Sequence, residues 1–387
     1  MSTLRKPRRR RPGRALWREI HLWLGLTLGV VGALLGLSGS LLVYDDAIDA
    51  WLHPQRHAIT GVAALLPVAE YAKRAEAALA NGSRATGVRL PDLDTGAVMV
   101  FARAPGEGTA FQRVYLDPPT GDVLDIATGR DFLGWLHSFH ESLTLREFYG
   151  REMVGVVGLA MLVSTLTGLY LWWPAGGWRH AVVVFRRGFG LNRNLHYTIG
   201  FWGMALLALL SFTGIVLAYP DAMRTAVAAV GKVSPSPRNL QAPEATGRPM
   251  PADDAIATAR RAVPDATVIG FGFAQGPRGA YRVNLRERGD TTSRSGSVVF
   301  VDPRTGTILQ RTTRATRGAG DAFLLWQRIL HEGGWLGPVG RFVTFAGGLM
   351  PPLLFVTGFA MWLRKRARRS QASAAGAGVG VARQAGP

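Results

Sequence analysis

The sequence predicts an α-helical membrane protein with four transmembrane helices, arranged as two pseudo-symmetric halves, and two small α+β domains outside the membrane. Three observations predict this fold class in a chain of 387 residues. Four apolar stretches are long enough to cross a bilayer, and a long polar segment follows the first and the third of them. In addition, the second half of the chain repeats motifs of the first half.

The four apolar stretches are residues 20–44, 153–173, 196–219 and 342–363. A membrane-spanning helix needs about 20 mainly apolar residues, and no Lys, Arg, Asp or Glu interrupts any of the four. The first stretch is longer than the apolar region of a signal peptide, which has about 7–15 residues, and no A-x-A-like cleavage site ends it. We therefore interpret it as an uncleaved anchor.

The net charge of +19 is concentrated beside these stretches. The basic tail (1–19), the loop at 174–195 and the C-terminal tail (364–387) carry almost the whole excess of Lys and Arg. This distribution follows the positive-inside rule, so it predicts a multi-pass membrane protein with both termini in the cytoplasm. The basic segments are interpreted as topology signals that contact anionic lipid, and nucleic acid is not expected as a partner.

Cysteine is absent from the chain. This excludes disulfides, c-type haem, iron–sulfur clusters and thiolate metal sites. Any redox centre must use other ligands.

The two long polar segments repeat each other and are predicted to be periplasmic α+β domains, at 46–130 and 222–320. Each begins with an amphipathic helix that follows a proline, continues with strand-like runs, and ends in a hairpin with the motif Asp-Pro-x-Thr-Gly. Such residues are typical of tight turns. A histidine-bearing segment follows each domain, at 131–152 and 321–341.

Four histidines occupy repeat-equivalent helix ends, and they are the candidate ligands of a cofactor. His21 and His196 begin the first and third spans at an offset of 175, while His140 and His331 precede the second and fourth spans. In a pseudo-two-fold bundle each pair faces across the axis, as ligation of one haem iron by two imidazoles requires. Structural hydrogen bonding or another metal are the alternatives.

Further residues near these histidines are candidates for cofactor contact. His137 is an alternative outer ligand, although the repeat places Arg328 at its equivalent position. His21 and His196 are called the inner histidines because they are expected at the cytoplasmic side. The glycine four residues after each of them either lets a macrocycle lie against the backbone or serves close helix packing. Arginine near each histidine either binds haem propionates or anchors the helix at the interface. These glycines and arginines are Gly25, Gly200, Arg18, Arg193, Arg151 and Arg341. No catalytic residue or nicotinamide-binding motif is evident.

Residues 15–366 resemble the PepSY-associated transmembrane family, which includes iron-regulated inner-membrane proteins and the FoxB-like siderophore reductases. The resemblance is carried by the Asp-Pro-x-Thr-Gly hairpins and by the segment from Trp135 to Pro174, with its L-H-x-x-H-E, Gly-Arg and T-G-L-Y-L-W-W-P motifs. It implies PepSY-like outer domains and two b-type haems. It also implies electron transfer from a cytoplasmic or quinol donor to a ferric siderophore or another ferric chelate.

A non-redox function is the competing hypothesis. PepSY domains also act as inhibitory or sensing modules, so the chain is alternatively a regulator of a periplasmic protease or a sensor of envelope conditions. That hypothesis explains the outer domains and leaves the four matched histidines unexplained.

Overall fold

The computed structural model describes residues 12–62, 64–92, 96–105, 111–176, 189–235, 240–243, 247–290 and 296–384. The first part of the predicted N-terminal tail (1–11) and most of the predicted cytoplasmic loop (177–188) lie outside the described residues. The described chain forms two compact units, a helical one (1–43, 139–219 and 342–387) and one built on a β-sheet (44–138 and 220–341).

The helices and strands follow the order predicted from the sequence. The helices are α1 (Pro12–Thr27), α2 (Gly29–Leu42), α3 (Asp45–Leu52), α4 (Val68–Leu79), α5 (Phe132–Ser142), α6 (Gly150–Gly176), α7 (Phe189–Ala218), α8 (Pro220–Ala228), α9 (Ala252–Ala262), α10 (Ala319–Glu332) and α11 (Gly337–Gln384). The strands are β1 (Arg84–Arg89), β2 (Val98–Arg103), β3 (Phe111–Leu116), β4 (Val123–Thr128), β5 (Ala266–Gly272), β6 (Tyr281–Glu287), β7 (Ser297–Val301) and β8 (Ile308–Thr312).

Three of the described helical segments are long and apolar enough to cross a membrane, namely Gly150–Trp173, Gly190–Ala218 and Gly334–Ala372. A fourth span is formed if α1 and α2 are counted as one broken span. One residue separates these two helices, and their axes are bent by 58°. The first predicted stretch is therefore two helices and not one straight helix. Glycines at 25, 29 and 32 surround the bend, and residues without a side chain give a helix little resistance to bending.

Small residues bring α2 and α11 close together in the helical unit. The Ser40 hydroxyl donates a hydrogen bond of 2.8 Å to the Phe345 carbonyl, and a methyl group at Gly348 would lie 2.6 Å from the Gly36 carbonyl oxygen. Only glycine permits this approach of the two backbones. Such contacts between small residues are typical of helix packing in lipid, where apolar burial gives no driving force between helices.

The two predicted α+β segments share one eight-stranded antiparallel sheet, with strand order β4-β3-β2-β1-β5-β6-β7-β8. The first segment supplies one half of the sheet and the second supplies the other half, and β1 pairs with β5 at the join. Methyl groups at Gly87 and Gly270 would each lie 3.1 Å from a carbonyl oxygen of the opposite strand. Glycine at these two positions therefore allows the central strands to pair closely.

Two helices cover one face of the sheet and form its hydrophobic core. Tyr71 and Ala75 of α4, and Ala255 and Ala259 of α9, are fully buried against the inward-facing valines and leucines of the strands. The Asp253 carboxylate also accepts a hydrogen bond of 2.9 Å from the Val68 amide, at the start of α4. This contact satisfies one of the free amides that every helix start leaves.

The Asp-Pro-x-Thr-Gly motifs form the predicted turns, between β3 and β4 and between β7 and β8. The glycines Gly121 and Gly306 have φ values of +70° and +71°, a conformation that favours glycine. The Asp117 carboxylate accepts hydrogen bonds from the Thr60 amide at 2.7 Å and from the Thr120 hydroxyl at 2.9 Å. The Asp302 carboxylate accepts one from the Arg304 amide at 2.8 Å. Both motifs are structural.

A buried arginine ties α3 to the edge of the sheet. The Arg56 guanidinium contacts carboxylates of Asp49, Asp125 and Asp131 at 2.7, 2.6 and 3.1 Å. Burial by itself lowers the pKa of Arg56, but the hydrogen bond from Arg56 to Asp125 and the nearby negative charges raise the pKa above its ordinary value. Moving the segment away would leave a buried charge without its partner, which is unfavourable. The ion pairs therefore hold the segment in one conformation.

We expect Asp117→Asn to remove a pH-dependent part of the stability. Burial raises the pKa of the Asp117 carboxyl, but hydrogen bonds from Thr60 and Thr120 outweigh burial and hold the pKa below its ordinary value. A carboxyl with a lowered folded-state pKa stabilises the protein above the unfolded-state pKa of about 3.9. That contribution is lost as the pH falls through the folded-state pKa.

Thermal unfolding of the full-length protein in detergent, measured by circular dichroism at neutral pH and at pH about 3, checks this prediction. The variant should unfold at a lower temperature than the wild type at neutral pH, and the difference should shrink in acid. Asp122→Asn, an exposed residue of the same turn, is the control and should behave like the wild type. An equal difference at both pH values would contradict the assignment.

Candidate functional site

His21 lies near the middle of α1, and its imidazole contacts α6. The Nδ1 atom is 3.0 Å from the Ser164 carbonyl oxygen and 3.1 Å from the Thr167 hydroxyl. These contacts cross between two helices that are far apart in sequence. They fix the position and the rotation of the imidazole ring.

His196 repeats this arrangement between α7 and α11. Its Nδ1 atom is 2.9 Å from the Thr357 hydroxyl, and the imidazole is also hydrogen-bonded to the backbone of Leu354. Leu354 precedes Thr357 by three residues, just as Ser164 precedes Thr167. The two inner histidines are thus held by equivalent contacts in the two halves of the chain.

These contacts determine which nitrogen of each ring carries the proton. A carbonyl oxygen only accepts hydrogen bonds, so the Nδ1 atom facing it must be the protonated one in a neutral imidazole. The Nε2 atom of His21 and of His196 therefore has a free lone pair. A metal-ligating histidine has this form, with its second ring nitrogen donating to a backbone carbonyl.

The two inner imidazoles lie close together, at a separation compatible with ligation of one shared metal. Their ring centroids are 6.4 Å apart and their planes are perpendicular. A metal–imidazole bond of about 2 Å on each side places two ring centroids about 6 Å apart. His21 and His196, predicted as a pair from the repeat, are brought together by the structure.

Glycines leave space around both rings. A methyl group at Gly168 would lie 3.2 Å from Cε1 of His21, and one at Gly358 would lie 3.3 Å from Cε1 of His196. A methyl group at Gly25 would have no other atom within 4 Å, and one at Gly200 would meet only Leu354, at 3.8 Å. The positions one turn beyond the histidines are therefore not closed by neighbouring side chains.

The residues fit a haem iron held by two imidazoles. Both donors are neutral nitrogen ligands with free lone pairs, the separation of the rings matches two metal–nitrogen bonds, and the flanking glycines leave space. No group of three or more His, Cys, Asp or Glu residues that could hold a metal occurs among the described residues. Two nitrogen donors alone suit a metal whose other ligands come from a macrocycle.

His140 is held by the same kind of contact at the other end of the helical unit. Its Nδ1 atom is 3.0 Å from the Leu35 carbonyl oxygen and 3.1 Å from the Ser38 hydroxyl. A methyl group at Gly39 would lie 2.7 Å from Cε1 of the same ring. His140 is thus the third histidine whose Nδ1 atom contacts a backbone carbonyl and a hydroxyl of another helix.

The remaining histidines of the prediction belong to the sheet unit. His331 lies in the last turn of α10, next to Glu332, which pairs with Arg328 at 3.1 Å. The pairing of His140 with His331 stays a prediction. His137 lies on α5, and no hydrogen bond holds its ring among the residues that the structure describes. This difference favours His140 over His137 as the outer ligand.

The four arginines divide into two groups. Arg18 is exposed and pairs only with its neighbour Glu19, at 3.1 Å, and Arg193 is also exposed. By contrast, Arg151 donates a hydrogen bond of 2.8 Å to the Leu217 carbonyl, and Arg341 lies 3.9 Å from the Asp46 carboxylate. The inner arginines keep their guanidinium groups available to a ligand, while the outer ones contact the chain itself.

The sequence interpretation missed the hydroxyl-bearing partners of the histidines. Ser38, Thr167 and Thr357 were recognisable only as members of repeated Ser/Thr-Gly pairs, a signal that marks the repeat without showing what it contacts. The buried Arg56 cluster was also missed, although the acidic residues in the preceding helix were visible in the sequence.

The long apolar helices define a membrane protein that carries an additional sheet unit. The chain matches the family described as the PepSY-associated transmembrane region over residues 18–365 and belongs to that family. It is 30% identical over 261 residues to the uncharacterized protein PA4219 of Pseudomonas aeruginosa, a match that covers 61% of this chain and 64% of that protein.

Proposed function

We propose that this chain is a di-haem b electron-transfer protein of the bacterial inner membrane, which passes electrons outward to a ferric chelate. In this proposal the acceptor is a ferric siderophore in iron uptake, and the donor is a quinol or a cytoplasmic reductant. The termini lie in the cytoplasm. The activity is that of a haem-dependent ferric reductase.

The observation that carries the proposal is the facing pair His21 and His196, with centroids 6.4 Å apart and both free Nε2 lone pairs available. A histidine that served only to join helices needs its Nδ1 contact and no facing partner. When bound, a haem with two imidazole ligands exchanges single electrons and has no open position for oxygen or substrate. His140 and His331 are proposed to hold a second haem because the repeat relates them in the same way.

The chain's own residues prepare the inner site for such a group. Ser164 and Leu354 hold the two rings through backbone contacts, and the open positions at Gly25 and Gly200 leave space beside them. The exposed guanidinium groups of Arg18 and Arg193 lie three residues before each histidine and suit the carboxylates of haem propionates. The tight glycine contacts exclude larger side chains from the edge of each ring.

A ferric chelate suits an electron-transfer protein whose metal sites are closed to ligands. Transfer of one electron needs only close approach of the acceptor to the edge of the cofactor. Hard oxygen ligands bind Fe(III) much more firmly than Fe(II). One electron per ferric ion is therefore enough to weaken the chelate and release Fe(II).

We expect the full-length protein to purify with two b-type haems per chain, removable by acid acetone because the chain has no cysteine to attach them. His21→Ala and His196→Ala should each lose one haem, since a single imidazole leaves the iron without its second ligand. The haem-to-protein ratio, measured as the pyridine haemochrome, checks this. His57→Ala, which changes a histidine of the sheet unit, is the matched control and should keep both haems.

Full haem content in both inner variants would show that these histidines are structural. For the outer haem, His140→Ala and His331→Ala should each lose it, whereas His137→Ala should retain it. Loss in His137→Ala alone would show that the repeat selects the wrong neighbour. A wild-type protein without haem would favour the regulatory or sensing function.

We also expect the reduced protein to be reoxidised by a ferric siderophore under anaerobic conditions, with Fe(II) appearing in a ferrous chelator. Stopped-flow absorbance of the haem checks the rate. The gallium(III) form of the same siderophore is the control, because it has nearly the same shape and charge but accepts no electron. If several ferric chelates fail while a quinone reoxidises the protein rapidly, the acceptor is a different molecule.

A further inference from the structure

We propose that the Ser/Thr-Gly pairs of the helices are positioning devices that orient the haem-ligating imidazoles and set their donor strength. The pairs for which this contact is described are Thr167–Gly168 with His21, Thr357–Gly358 with His196 and Ser38–Gly39 with His140. The inference rests on the proposed function, since it assigns these histidines to haem iron.

The same geometry occurs three times. In each case the imidazole Nδ1 contacts the hydroxyl of the Ser or Thr and the backbone carbonyl three residues before it, at 2.9–3.1 Å where Thr167, Thr357 and Ser38 are the partners. The hydroxyl itself donates to its own helix, to Val163 at 2.7 Å, to Leu353 at 2.7 Å and to Leu35 at 3.0 Å. Its oxygen is therefore left to accept from the imidazole.

The glycine explains why the carbonyl is accessible. In an α-helix the carbonyl of residue n accepts from the amide of residue n+4, and the Cβ of that later residue points back toward it. Gly168, Gly358 and Gly39 are four residues after Ser164, Leu354 and Leu35. With no side chain there, nothing at that position blocks the approach of the imidazole N–H to each carbonyl oxygen.

The hydroxyl-to-backbone bond alone does not carry the inference, because Ser and Thr in helices often make it. Thr165, on the same helix as Thr167, donates to the Met161 carbonyl at 2.9 Å and is followed by Leu166. Among the described residues Thr165 contacts no histidine. Of these two threonines on α6, the one that precedes glycine accepts an imidazole, so the pair and not the threonine alone is the functional feature.

The hydroxyl has a chemical consequence beyond packing. A second acceptor on Nδ1–H draws the proton away from the ring and makes Nε2 a stronger donor to the metal. A stronger donor stabilises the ferric form over the ferrous form. Removing the hydroxyl should therefore raise the midpoint potential of the haem concerned.

The test is redox potentiometry of the full-length haem protein with Thr167→Val and Thr357→Val, singly and together. The result expected is a positive shift of one of the two midpoint potentials, larger in the double variant, with the other potential and the haem content unchanged. Thr165→Val should leave both potentials at the wild-type values. Thr167→Ser, which keeps the hydroxyl, should restore the wild-type potential.

Unmoved potentials in the Val variants, with both haems bound, would overturn the inference and leave the proposed function standing. A wild-type chain without haem would overturn both. If Thr167→Val purifies without its inner haem, Thr167→Ser decides the case. If Thr167→Ser binds the inner haem at the wild-type potential, the positioning role is supported. If Thr167→Ser also loses this haem, the positioning role is overturned.

Discussion

The helical unit depends on one type of hydrogen bond, which an imidazole N–H on one helix donates to a backbone carbonyl on another. His21 bridges α1 to α6 in this way, and His196 bridges α7 to α11. In lipid, where few partners compete for a polar group, such a bond both joins two helices and fixes the ring. Because the carbonyl places the proton on Nδ1, the same bond that holds the helices would leave Nε2 as the ligand of the proposed haem iron.

Each half of the chain contains one such imidazole–backbone hydrogen bond, and the two halves share one sheet. The membrane helices need glycine where an imidazole reaches a carbonyl, and the sheet needs Gly87 and Gly270 where its central strands pair. In each case the missing side chain permits a close approach. A chain with 48 glycines therefore uses many of them at contacts and not as flexible linkers.

Much of this architecture was predictable from local pattern. Apolar stretches predicted the spans, strand-like runs predicted the strands, and a constant offset predicted which histidines correspond. The bend at Leu28 was not predictable, because it depends on packing around Gly29. The joined sheet was missed because pairing of β1 with β5 is a long-range contact. The role of Thr167 and Thr357 was not predictable either, because their contacts with the histidines are also long-range. A repeat shows which residues correspond in the two halves, but it does not show which residue of another helix each one contacts.

The most direct test of the account is the electron paramagnetic resonance spectrum of the oxidised wild-type protein. The rings of His21 and His196 are perpendicular, so in the proposed inner haem their π interactions with the two iron d orbitals that point along the imidazole–iron axis would nearly cancel and leave these orbitals almost degenerate. The account predicts a low-spin signal with very large g anisotropy from the inner haem. Only high-spin ferric signals, or low-spin signals of small anisotropy from every haem present, would contradict a site formed by these two imidazoles.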